Sequence, residues 1–187
     1  KNLRLNITLN KAKPAIWRRV LVPGGITFFD LHHIIQISMG WKNAHMFEFK
    51  VDNYKLGYPD SELEGNEDVT HASSVHLDLL LMKEGLTFSY LYDFGDYWRH
   101  TIEVEAILPA DERVYPVCID GALACPPEDI GGVPGFYENL QILNNPKHPQ
   151  YKHRKKWVGR DYDPEKFDID KVNKELPKFK KYMKNWR

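Results

Sequence analysis

The stretch that decides the fold is LTFSYLYDFGDYWRHTIEVEAIL, residues 86–108. Its two ends, LTFSYLY and HTIEVEAIL, alternate apolar and polar side chains, which is the period-two pattern of half-buried strands. The DFGDYW segment between them supplies aspartates and a glycine, residue types that favour turns. The stretch therefore predicts an aromatic β-hairpin at the centre of a sheet.

Further strands are predicted on the N-terminal side of this hairpin. Leu3, Leu5, Ile7 and Leu9 alternate with polar residues, and IWRRVLVP (residues 16–23) gives a second strand that Pro-Gly-Gly ends. These two strands are expected to pair. HMFEFKV (residues 45–51) returns to strand alternation through its phenylalanines.

Helices are predicted between the strands and at the C-terminal end. Thr27 can cap a helix, with Asp30 three residues later, and Gly40 can end it in the left-handed conformation. Helical patterns then follow in residues 136–143, in the basic stretch that ends at Trp157, and in residues 168–186, which Pro177 interrupts. The expected fold is α+β, with residues 1–187 forming one domain in which these helices pack on a mostly antiparallel sheet.

Three segments are harder to assign. Residues 52–68 hold six acidic side chains and turn residues, so we expect a solvated, mobile loop. Residues 75–85 suit a short helix that Gly85 ends, with a strand as the alternative. Residues 116–135 are rich in glycine, proline and acids, which indicates an ordered loop with a possible tight hairpin at Asp120-Gly121.

Composition and charge limit the classes of function. The chain is 42% hydrophobic, has two cysteines and lacks a long apolar run, which together favour a cytoplasmic protein with no membrane partner. Its net charge is zero, yet residues 1–146 have an excess of eight acidic side chains and residues 147–187 an excess of eight basic ones. The asymmetry indicates either a surface for nucleic acid or another acidic partner, or mutual attraction of the two parts, which we favour.

Four blocks of sequence carry a family resemblance: IWRRVLVP, FFDLHHIIQISMGW, YLYDFGDYWRHTIEVE and YPVCIDGALACPPEDIGGVPGFYENL. In this order they resemble the plasmid pRiA4b ORF-3-like family. The resemblance implies an α+β structure with no established activity. Some members carry a transposon-resolvase label, which these residues do not support, because the first serine, Ser38, lies inside an apolar helix rather than near the N-terminus beside arginines.

The resemblance also bears on metal binding. Family members often have a second histidine at the position of Phe47 and a further cysteine at that of Ile130. Both are potential ligands that this chain lacks.

Candidate ligand-pocket residues come from three segments. His33, His45 and His100 can converge with Asp93 and Asp96, since a carboxylate beside an imidazole orients a metal-binding or proton-transferring histidine. Trp98 is an aromatic candidate in the same turn. His32 and His33 point about 100° apart on their helix, so at most one is expected in the buried stripe.

The glycine-rich loop adds a second group of candidates: Cys118, Cys125, Glu128 and Asp129. Two cysteines with six residues between them are half of a structural zinc site, and buried free thiols are the commoner outcome. No ligand spacing in the chain defines a metal site, so no metal or cofactor is assigned. Satisfied structural histidines are likewise the commoner alternative to a functional cluster.

Three functions follow as hypotheses. The first is a non-enzymatic binding module for an unidentified ligand or protein, with its site between the His32-His33 helix, the DFGDYW turn and the CPPED loop. The second is a nucleic-acid accessory protein of mobile elements, which would grip phosphates through Lys152, Arg154, Lys155 and Lys156. The third is a metal-assisted hydrolase that uses the histidines and aspartates.

Overall fold

One eight-stranded sheet organises the molecule. The computed structural model describes residues 1–58, 68–113, 116–159 and 161–182. The strands run in the order β5-β4-β3-β6-β7-β1-β2-β8, and all neighbours are antiparallel except β4 and β5. In chain order they are Asn2–Leu9 (β1), Trp17–Pro23 (β2), Phe47–Val51 (β3), Tyr54–Gly57 (β4), Val69–His71 (β5), Thr87–Tyr92 (β6), Trp98–Leu108 (β7) and Val117–Ala122 (β8).

In the described residues, six α-helices accompany the sheet: Phe28–Met39 (α1), Leu77–Leu80 (α2), Gly132–Leu143 (α3), Tyr151–Val158 (α4), Ile169–Glu175 (α5) and Phe179–Tyr182 (α6). A 3₁₀ turn, Leu176–Lys178, joins α5 to α6 where Pro177 interrupts the α-helical pattern. The α+β class and the mostly antiparallel sheet predicted from the sequence are confirmed.

The predicted hairpin lies at the centre of the sheet, because β6 and β7 are its fourth and fifth strands. Tyr90 pairs with His100 and Tyr92 with Trp98, so large rings stand side by side on the buried face. Along β7 buried and exposed side chains alternate from Trp98 to Val104. The opposite face is polar, and there Glu105 pairs with both Arg4 and Arg19.

Helix α1 packs between the sheet and the C-terminal helices. Thr27 and Asp30 form the expected capping box, and Gly40 ends the helix with φ +105°. Eleven of its twelve residues are buried because it contacts β2 on one side and α5 and α6 on another. The expectation that only one of His32 and His33 is buried is therefore wrong, since both are fully enclosed.

Three further details differ from the sequence prediction. Residues Val117–Ala122 form edge strand β8 against β2 rather than a loop with a hairpin at Asp120-Gly121. The helix predicted in residues 75–85 is only the four residues of α2. Of the loop predicted in residues 52–68, residues 54–57 form β4, and residues 59–67 lie outside the described residues.

Candidate functional site

The DFGD turn and the CPPED loop meet at one edge of the aromatic core. Asp96 joins them, because its carboxylate accepts hydrogen bonds from the backbone N–H groups of Ile130 (3.0 Å) and Gly131 (3.2 Å). Gly132 makes this approach possible, since a Cβ there would lie 2.3 Å from the carbonyl oxygen of Asp96. Asp96 is thus a clamp that holds the two segments together.

The loop is also fastened from its other side. The Trp41 indole N–H donates to the carbonyl of Pro126 (3.1 Å), and the Tyr162 hydroxyl donates to that of Cys125 (3.2 Å). Glu128 accepts from the hydroxyl of Tyr92 and from the backbone N–H of Lys42. Burial, reinforced by this carboxylate, raises the pKa of Tyr92 far above its ordinary value, so the phenol stays protonated and donates.

Three ligand-type side chains converge where the two segments meet. His45 Nε2 lies 3.0 Å from Asp129 Oδ1 and 3.6 Å from Asp93 Oδ2, and the three atoms all lie within 4.8 Å of one another. Asp93 and Asp129 both have a left-handed backbone, with φ +58° and +56°. Such strain is sparsely populated in non-glycine residues and often accompanies functional sites.

The electrostatics of this cluster are unbalanced. His45 Nε2 is screened from solvent and makes no hydrogen bond of acceptable geometry with any described residue, although an Asp129 oxygen is near. Asp93 Oδ1 is occupied by the backbone N–H of Gly95 (2.8 Å), while Oδ2 faces His45. The cluster therefore presents one nitrogen and two oxygens toward a shared point, with an excess of negative charge.

A cavity of about 550 Å³ adjoins this cluster. Glu128 and Asp129 form its acidic side, and the indole of Trp157 on α4, which is 43% exposed, forms part of its aromatic side. A volume of this size suits a small ligand. The cluster therefore lies beside space that a ligand can occupy.

The other predicted histidines do not join the site. His33 donates from Nδ1 to the carbonyl of Phe29 (2.7 Å), and its Nε2 faces the amide nitrogen of Asn43 (3.4 Å). His100 lies in the core, edge-on to Trp41 with 5.3 Å between ring centroids. Within the described ranges, no three-residue group of possible metal ligands includes His33 or His100.

Asn43 and His32 complete a buried network that sequence reasoning missed. Gln36 Nε2 donates to the Tyr90 hydroxyl (3.0 Å), which lies 2.8 Å from His32 Nδ1, and His32 Nε2 contacts Asn43 Oδ1. The assignment that satisfies every atom has Tyr90 donating to His32, His32 to Asn43, and Asn43 to His33. Burial lowers the pKa of both histidines, so the network is neutral.

The remaining predicted pocket residues, Trp98 and the two cysteines, do not join the His45 cluster. Trp98 is fully buried, 5.8 Å from the ring centroid of Trp41. Cys118 and Cys125 are free thiols, and burial raises the pKa of each, to about 11 for Cys118. Among the described residues neither thiol joins a three-residue group of possible metal ligands.

The two positions where the family often carries another ligand are apolar core here. Phe47 stacks on the His32 ring with 3.7 Å between centroids, and Ile130 is buried. The candidate cluster of this chain therefore uses neither position.

The basic candidates form an exposed helix. None of the α4 residues is buried, and the side chains of Lys152 and Lys156 are exposed. Among the salt bridges of the described residues, none joins a basic residue of 147–182 to an acid of the first 146 residues. Direct ion pairing between the two oppositely charged parts is thus not what orders the described C-terminal segment.

The fold and the His45 cluster together define an α+β protein with ligand-type side chains where the DFGD turn meets the CPPED loop. The chain belongs to the plasmid pRiA4b ORF-3-like family, whose model matches residues 1–171. It is 36% identical over 174 residues to the uncharacterized protein y4hQ of Sinorhizobium fredii, covering 92% of this chain and 89% of the relative.

A solved structure shares the fold. The crystal structure of MM3350 from Methanosarcina mazei Go1, a protein of unknown function, is 36% identical with a TM-score of 0.79, covering 90% of this chain and 96% of that chain. No described helix of the present structure is both long and apolar enough to cross a membrane.

Proposed function

We propose that this protein is a binding module whose ligand is held through a divalent cation coordinated by His45, Asp93 and Asp129. The observation that carries the proposal is the convergence of His45 Nε2, which lacks a hydrogen-bond partner among the described residues, with two carboxylate oxygens 3.0 and 3.6 Å away. Bonds of about 2.1 Å to one ion place neighbouring ligand atoms roughly 3 to 3.5 Å apart. The observed separations suit that geometry.

The donor set indicates the kind of ion. Imidazole suits zinc, iron and nickel, whereas carboxylate oxygens also suit manganese and magnesium, so one nitrogen with two oxygens favours a first-row divalent ion such as Zn²⁺ or Mn²⁺. Structural zinc sites use four protein ligands. Three ligands leave a coordination position open for an exchangeable group, which the neighbouring cavity can accommodate.

Metal titration tests the proposal directly. Protein purified without a histidine tag and treated with chelator is titrated with ZnCl₂ and MnCl₂ by calorimetry, and one equivalent is expected to bind. The His45→Ala variant removes the only nitrogen ligand, so we expect its affinity to fall at least about 10-fold. His153→Ala, which removes an exposed histidine of α4, is the matched control and should bind as the parent does.

If neither Zn²⁺ nor Mn²⁺ binds, or if His45→Ala binds them as tightly as the parent does, the cation is removed from the proposal. The same open position would serve a metal-assisted hydrolase. Hydrolysis of p-nitrophenyl acetate or bis-p-nitrophenyl phosphate by the zinc-loaded protein, lost in His45→Ala, would move the assignment from binding module to enzyme.

A second candidate function is nucleic-acid binding through α4, in keeping with an accessory role in mobile elements. It is favoured by the exposure of Lys152 and Lys156 on a helix without buried residues. Fluorescence anisotropy of a labelled duplex at about 50 mM salt should then show binding that weakens steeply with salt and in Lys152→Gln/Lys156→Gln. An unchanged anisotropy at this salt concentration would exclude it.

A further inference from the structure

Arg18 is a buried cation without an ionic partner. It is 1% exposed on β2, where its Nε donates to the carbonyl of Ser38 (2.7 Å) and its Nη1 to those of Trp17 (2.8 Å) and Ala122 (2.9 Å). Nη2 donates none of the hydrogen bonds found among the described residues, and no described carboxylate forms a salt bridge with Arg18. A desolvated charge of this kind costs several kcal/mol unless it is compensated.

The end of α1 explains part of this arrangement. Ser38 carries one of the four last carbonyls of the helix, which have no partner within it, and α1 has no basic residue in its last turn. Arg18 satisfies that carbonyl and complements the negative end of the helix, which is equivalent to about half a charge. The Nη2 side of the guanidinium has neither a hydrogen-bond acceptor nor a carboxylate partner among the described residues.

Arg18 lines a cavity of about 400 Å³ between the end of α1, the loop at Cys125 and helix α5. The volume is within the usual range for small-molecule sites. Its walls combine apolar side chains with two exposed lysines, Lys166 and Lys171, and the ring of Phe167 lies 3.9 Å from Arg18 Cζ. The cavity therefore offers three cations beside an apolar wall.

The two acids of the cavity have other partners. Asp168 caps α5 by accepting from the backbone N–H of Lys171 (3.0 Å), and Glu175 pairs with Lys178 Nζ at 2.7 Å. Neither carboxylate forms a salt bridge with Arg18, Lys166 or Lys171. Asp168 keeps its charge as a cap, and Glu175 is paired outside the cavity, so the walls hold more positive than negative charge.

We propose that this cavity binds a small molecule that carries an oxyanion, either a carboxylate or a phosphate, on an apolar body. The anion lies against Arg18 Nη2 and the ammonium groups of Lys166 and Lys171, and the body packs on the apolar wall. Charge-assisted hydrogen bonds of this kind are about twice as strong as neutral ones. The site is separate from the His45 cluster and does not require a cation there.

Calorimetric titration with benzoate, phenyl phosphate and benzyl alcohol tests the site, the alcohol being the neutral probe of similar shape. Benzoate or phenyl phosphate is expected to bind at least about 10-fold more tightly than benzyl alcohol, and the preferred anion separates the two sources of charge. The Lys166→Gln/Lys171→Gln variant should weaken the anion about 10-fold and leave the alcohol unchanged. Lys152→Gln/Lys156→Gln on α4 is the matched control and should bind like the parent.

Arg18→Gln is the stronger variant where it folds, as judged by circular dichroism, and should abolish anion binding. Where it does not fold, the lysine pair decides the question. Absence of binding by both anions at about 10 mM, weaker than any useful small-ligand affinity, would overturn the proposal. Equal affinity for anion and alcohol, or an unaffected lysine variant, would also overturn it.

Discussion

Three histidines from neighbouring parts of the chain, His32, His33 and His45, lie in two different environments. His32 and His33 lie in the core, and each of their four ring nitrogens faces a polar neighbour. His45 lies at the rim, where its Nε2 is screened from water yet makes no hydrogen bond with a described residue. An unpartnered ring nitrogen alone does not mark a ligand, because His100 Nε2 in the core also lacks a partner among the described residues. His45 differs from the core histidines in having two carboxylates beside its unpartnered nitrogen.

The largest expected effect is on the pH dependence of stability. Burial lowers the pKa of His32, His33 and His100, the last to about 3, so each folded-state pKa lies below the unfolded value near 6.5. The stabilising contribution is then complete above pH 6.5 and is lost as the pH falls toward the folded pKa, because the unfolded chain binds more protons. Each histidine can contribute up to about 1.4 kcal/mol per pH unit in that window.

Urea unfolding followed by circular dichroism between pH 4 and 8 measures this slope. The His153→Ala variant, which loses an exposed histidine, should keep the slope of the parent. A stability that stays flat down to pH 4.5 would show that these histidines are not held neutral in the folded state.

Breaking the core network at its central amide is the next effect in size. Asn43→Ala leaves Nε2 of both His32 and His33 without its partner, so we expect a loss of about 2 to 4 kcal/mol in the free energy of unfolding. Asn144→Ala, at the exposed end of α3, is the control and should change stability by less than about 0.5 kcal/mol. Equal, small losses in both variants would contradict the network.

The smallest expected changes in stability distinguish the structural aspartate, Asp96, from the proposed metal ligand Asp129. Asp96→Ala removes the acceptor for two backbone N–H groups and should cost about 1 to 3 kcal/mol. Asp129→Asn keeps a residue type that tolerates φ +56° and changes a side chain that is 70% exposed, so it should cost under about 0.5 kcal/mol in chelator yet strongly reduce any stabilisation by zinc. Thermal unfolding with and without ZnCl₂ distinguishes them, and a reversed order would show that Asp129 is the structural clamp.

Much of the fold was predictable because its signals are local. Alternation marked the central hairpin, and the Thr27–Asp30 capping box and Gly40 marked both ends of α1. Strand β8 was missed because Asp120-Gly121 is typical of a turn. Gly121 is required there for another reason, since a Cβ would lie 2.6 Å from the ring of Phe167.

The site was predictable only in outline. The meeting of the DFGD turn with the CPPED loop was expected, but the burial of both His32 and His33 was not, because it depends on the C-terminal helices that cover α1. Asn43 carried no pattern that marks a network residue. Arg18 did carry a sequence signal, since it occupies the same every-second-position series as Ile16, Val20 and Val22, which are buried.

The imidazole resonances of ¹⁵N-labelled protein, recorded during titration with ZnCl₂, test the central contrast most directly. We expect the Nε2 signal of His45 to shift and to saturate at one equivalent, while the signals of His32, His33 and His100 stay in place. A titration in which the core histidines shift, or in which His45 does not, would contradict it.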